Sequence, residues 1–91
     1  MPRINGWKQL HHYANLDDAE EHLNEDGRVK IGVWSHDDDG VIEHIYEPSA
    51  EAGPFIVRQS DDHRSFEEEG RYQTRREGNR ANKAIMRKYP P

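Results

Sequence analysis

Thirteen Lys and Arg, eighteen Asp and Glu and six His side chains are the groups in this 91-residue chain able to do chemistry. Their spacing sorts them. The densest run of one sign closes the chain in TRREGNRANKAIMRKY, Thr74 to Tyr89. At about 100° per residue, Arg76, Arg80, Lys83 and Arg87 gather within a roughly 60° arc of a helix, while Gly78, Ala81, Ile85 and Tyr89 fall on the other side. Phosphates along a nucleic-acid strand need several cationic donors in a row, and a helix supplies them at about 5 to 6 Å per turn. Asn79 and Asn82 would add donors to phosphates or base edges. A solvated helix face presents the same pattern, with Arg87 and Lys88 favourable at the negative helix end. The candidate residues for nucleic acid or another polyanion are therefore Arg75, Arg76, Arg80, Lys83 and Arg87.

Other constellations carry less. His36 with Asp37, Asp38 and Asp39, His44, and Asp61-Asp62-His63 supply imidazoles and carboxylates of the kind divalent ions take. No HExxH pattern or fixed helical ligand pair accompanies them, and His11-His12 projects its rings in different directions. Asp-rich turns use their oxygens to cap backbone, so no metal site is expected. Ser35, Ser49, Ser60 and Ser65 stand at strand ends or turns without the base and orienting group a nucleophile needs. Glu67, Glu68 and Glu69 alternate faces in an extended chain, which prevents neighbours from forming an acid–base dyad. With no phosphate-cradling glycine loop and no dinucleotide fingerprint, the expectation is a non-enzymatic domain without a cofactor.

Charge is divided unevenly. Residues 70–91 carry seven basic and one acidic side chain, a net +6, whereas the preceding 69 carry six basic and seventeen acidic, a net −11. A cationic end on an anionic body suits a binding surface, or attraction between the ridge of one copy and the acidic helix of another as a homodimer or protein-interaction module. Hydrophobic residues make up 32 % and charged residues 34 %, so the core will be thin. No cysteine is present, which excludes disulfides and thiolate metal sites. The opening MPRINGWKQL has no apolar signal-peptide core and no run approaches about 18 apolar residues. A soluble, cytoplasmic protein without membrane contact is expected.

The elements that must position the ridge follow from periodicity. Residues 1–14 read as an N-terminal arm whose Trp7 and Tyr13 cover an edge of the core. NLDDAEEHL, with Asn15 as cap and Leu16, Ala19 and Leu23 at helical spacing, reads as a short acidic helix ending before Asp26-Gly27. Alternation in Arg28 to Ser35 predicts a strand with Val29, Ile31 and Val33 on one face. Asp39-Gly40 closes a hairpin to Val41–Glu47, and Pro48 to Pro54 is a loop. Phe55–Gln59 is a third strand and Ser65–Gln73 a weak fourth. Thr74 with Glu77 forms a capping box, starting a helix over 74–89 that Pro90-Pro91 ends. Trp34, opposite the Val29 face, either forms an aromatic patch with Tyr46 or His44 on the uncovered sheet face or is packed by the arm.

MPRINGW, the strands around Val33-Trp34 and Phe55-Ile56-Val57, and the ending YQTRREGNRANKAIMRKYP together resemble small haloarchaeal proteins with a β-meander, a TREE-like capped helix and a terminal proline. Gly78 stands where that pattern usually has alanine, and Glu51 to Pro54 looks like an insertion. The resemblance implies an archaeal, halophilic source, with the acidic body as a hydrated surface, and brings no activity or site residue. The expected architecture is one α+β domain over 1–91: a three- to four-stranded antiparallel sheet, a C-terminal helix packed on one face, and a short acidic helix near the N-terminus.

Overall fold

Residues 7–12, expected within the arm, instead hydrogen-bond along residues 32–36 as the first strand of the sheet. The computed structural model describes residues 6–88; the opening five residues, Tyr89 and the Pro90-Pro91 tail lie outside them, and so does the expected placement of Tyr89 on the apolar side of the helix. The strands are β1 (Trp7–His12), β2 (Val29–His36), β3 (Val41–Tyr46), β4 (Phe55–Ser60) and β5 (Glu67–Tyr72). Each pairs antiparallel with its sequence neighbour, in the order β1-β2-β3-β4-β5. The sheet thus has five strands, the weak fourth of the sequence being β5 and the arm supplying one more. The helices are α1 (Leu16–Glu20) and α2 (Arg75–Lys88).

The acidic helix is shorter than its pattern. Asn15 caps it, its Oδ1 accepting from the Asp17 amide at 2.8 Å, but the chain turns after Glu21. Asn24 organises the turn into β2 by accepting from the Asp26 and Arg28 amides at 2.9 and 3.0 Å, while Gly27 adopts φ +74°, a conformation that side chains resist. At the β2–β3 turn it is Asp39 that takes positive φ, at 70°. The His36 amide donates to the Gly40 carbonyl at 2.8 Å, and His36 Nδ1 accepts from the Asp38 amide at 3.0 Å.

A register shift between Lys30 and Gly32 overturns the expected grouping on β2. Such a bulge places one extra residue on a strand and exchanges the faces beyond it. Val29 and Ile31 pack with Ala19 and Phe55, whereas Val33 lies in the row Val33, Glu43, Arg58 and Glu68 on the other face. Trp34 consequently faces the helices and packs against the Trp7, Ile42, Val57 and Met86 cluster, so of its two readings packing with the N-terminal segment is the one observed. Its ring folds back over Gly32, where a Cβ would collide with it.

Both apolar clusters occupy the helix-bearing face. Among the described residues the opposite face carries no helix, yet Val41, Ile45 and Ile56 on it are buried. Long charged side chains on the same face join in a lattice of ion pairs. Glu43, itself buried, takes Lys30 at 2.8 Å and Arg58 at 2.5 Å. Glu47 takes Arg28 at 3.5 Å and Arg71 at 3.3 Å.

Candidate polyanion-binding surface

α2 begins where the Thr–Glu spacing places it. The Glu77 amide donates to Thr74 Oγ1 at 3.2 Å. The return half of the box differs from expectation, for the Glu77 carboxylate accepts from the Thr74 hydroxyl at 3.1 Å. Arg75 then anchors the first turn. Its guanidinium donates to the Ala14 carbonyl at 3.2 Å and to the Tyr13 carbonyl, tying α2 to the β1–α1 connection. Arg75 is thus committed to the fold and leaves the candidate surface.

The buried stripe of α2 is Gly78, Asn82 and Met86, one turn apart, with Ala81 and Ile85 half-buried beside it. The buried stripe is therefore turned by roughly 70° from the Gly78, Ala81 and Ile85 face expected, and Asn82 points into the protein and not at a ligand. Gly78 explains the rotation. It sits directly over His44, and a Cβ there would overlap the ring at Nε2. Only glycine lets the helix approach so closely.

His44 is 1 % exposed. Burial, first, and then the Arg75 charge lower its pKa to about 4, against which hydrogen bonding by Asn79 acts weakly; it is a neutral imidazole at neutral pH. Among the described residues, His44 Nε2 and both polar side-chain atoms of Asn82 have no hydrogen-bond partner, an arrangement that native interiors rarely hold without a reason. Sequence reasoning missed this polar knot. Its one signal was Gly78, a glycine inside an otherwise strong helix.

Rotation leaves the opposite side of α2 to solvent. Arg76, Arg80, Lys83 and Arg87 are all exposed, spanning about 16 Å at 1.5 Å per residue. Among the described residues, the ion pairs of Arg and Lys involve Arg28, Lys30, Arg58 and Arg71, and none includes Arg76, Arg80 or Lys83. Arg87 has an interaction of its own within the chain. Three adjacent cations are therefore both exposed and uncommitted.

The histidine- and aspartate-rich turns do different work. Asp62 accepts from Ser60 Oγ and from the Arg64 and Ser65 amides at 2.9, 2.9 and 3.0 Å, and the Ser65 and Arg64 amides hold its carboxyl below the usual range. His63 Nε2 lies 3.7 Å from Asp39 Oδ1 across two turns, while His44 is sealed under α2. Among the described residues no three His, Asp or Glu side chains are grouped to hold a metal ion, and no helix is long and apolar enough to cross a membrane. No protein-family model, curated protein or solved structure matches the chain.

Proposed function

We propose that this is a small non-enzymatic domain that contacts nucleic acid or another polyanion through the exposed face of α2. What carries the reading is the row Arg76, Arg80 and Lys83, solvent-facing and without ion-pair partners among the described residues, on a helix fixed by a cap and by Arg75. Of the acids of the anionic body, Glu43, Glu47 and Glu68 lie away from this row, paired with Lys or Arg on the opposite sheet face. With Asn82 buried, base edges have fewer readers, and contact is with phosphate irrespective of sequence. Three phosphate contacts on a duplex correspond to a salt slope of about −2.7, so raising salt from about 50 to 200 mM weakens binding roughly 40-fold. Fluorescence titration with duplex and single-stranded oligonucleotides tests this. Replacing Arg76, Arg80 and Lys83 together by Gln should abolish binding and leave the melting temperature unchanged, whereas no affinity at low salt, or affinity indifferent to salt, rejects the proposal.

The exposed acids Asp17, Asp18 and Glu20 of α1 are complementary to the same row in a second copy. Sedimentation at low salt showing a dimer that the triple Gln variant loses would favour that homodimeric reading.

A further inference from the structure

A second site lies on the sheet face opposite α2. There the loop 22–28 and the ends of β1 and β2 enclose a groove of about 450 Å³, within the range of small-molecule sites. Its floor is apolar, formed by Val33 and Ile45. One wall is made of rings: Tyr13 stacks on His22 with centroids 5.8 Å apart and planes inclined at 22°, and His11 meets Tyr13 edge-on at 4.8 Å. The other wall is cationic, made of Arg28, Lys30 and Arg58.

These cations are held in place without being fully used. Lys30 and Arg58 share the single carboxylate of Glu43, which leaves one positive charge in excess. Arg58 is further fixed with its guanidinium 4.9 Å over the Phe66 ring, and Arg28 shares Glu47 with Arg71. A guanidinium has five N–H donors and an ammonium three, so both kinds keep donors beyond those spent on a shared carboxylate. Asp26, in the loop, is the one acid among the lining residues. The loop is prearranged, since Asn24 receives the Asp26 and Arg28 amides and its own amide donates to the Arg28 carbonyl at 2.8 Å.

We propose that this groove binds a planar aromatic anion, its ring against Tyr13 and His22 over the Val33–Ile45 floor and its anionic group on Lys30, Arg58 and Arg28. Rings without cations would select neutral aromatics, and cations without rings would select any small anion. Their juxtaposition selects a ligand with both. The site is independent of the proposal for α2, which uses the other face.

Adenosine 5′-monophosphate is a suitable probe, with adenosine and inorganic phosphate as its two halves, followed by amide NMR shifts. Saturable shifts are expected at Val33, Ile45 and the 22–28 loop, with each half at least about 10-fold weaker than the whole. His22→Ala and Lys30→Gln, both at exposed positions, should each weaken the nucleotide about 5- to 10-fold. The triple Gln variant of α2 should bind it unchanged. Phosphate binding as tightly as the nucleotide, shifts confined to α2, or no saturation by about 10 mM would overturn the proposal.

Discussion

Acidification tests the role of His44 directly. In the unfolded chain its imidazole takes up a proton near pH 6.5, but in the folded chain it does so only near pH 4. Between those values the unfolded state binds more protons, so stability falls as pH drops through that window and is fully present above it. The loss approaches about 3 kcal/mol by pH 4. Melting temperatures at pH 7, 5.5 and 4.5 should therefore decline, and His44→Phe should remove most of the decline. His12, whose pKa is also lowered by burial and by Arg75 and His11, accounts for a residue of it. Asp62 acts only at more acid pH, its shift lying below the ordinary carboxyl value. A wild-type protein equally stable at pH 7 and 4.5 would contradict the buried, neutral ring. Nothing in the sequence around His44 marked it: Ile-rich neighbours and a place in an apolar strand look the same whether a histidine is capped by water or by a helix.

Helix–sheet contact is where propensity and packing disagree. Gly to Ala in a helix interior ordinarily stabilises by about 1 kcal/mol. At Gly78 the added methyl would strike His44 Nε2, and the sign should reverse, to a loss of about 1 to 3 kcal/mol. Denaturant unfolding of Gly78→Ala, His44→Ala and the double variant would show it, because removing the ring makes room for the methyl and the two changes become non-additive. Additive losses would separate the two residues. At this scale the sequence was a good guide to β2, β3, β4 and α2, whose boundaries follow alternation, turn residues and the Thr74 cap. It was a poor guide where strands are bulged. A shift between Gln9 and His11 breaks the period of β1 and hid it as an arm, and the shift at Ile31 put Val33 on the face opposite Val29. Bulges depend on the partner strand, which a single run of residues does not contain.

Across the whole molecule the two sheet faces are held by different physics. One buries aromatic and aliphatic side chains beneath α1 and α2; the other combines buried Val41, Ile45 and Ile56 with a lattice of paired charges. This division is how a chain with 32 % hydrophobic residues builds both sides of a sheet, and Arg71 of the net +6 segment joins it to Glu47 and Glu68 of the net −11 body. The cationic row on α2 was legible from spacing alone. The groove was not, for its rings and cations come from residues 11–58 and meet only through strand pairing.

The unbroken order β1-β2-β3-β4-β5 has a kinetic consequence. Every strand meets a partner that is its immediate neighbour in the chain, so pairing can begin at the short β2–β3 turn, where the closing entropy is small, and the longest closure left is the 13–28 connection that carries α1. Refolding should be complete on the order of milliseconds, with Trp7 and Trp34 reporting together in stopped-flow fluorescence as α2 seals the finished meander.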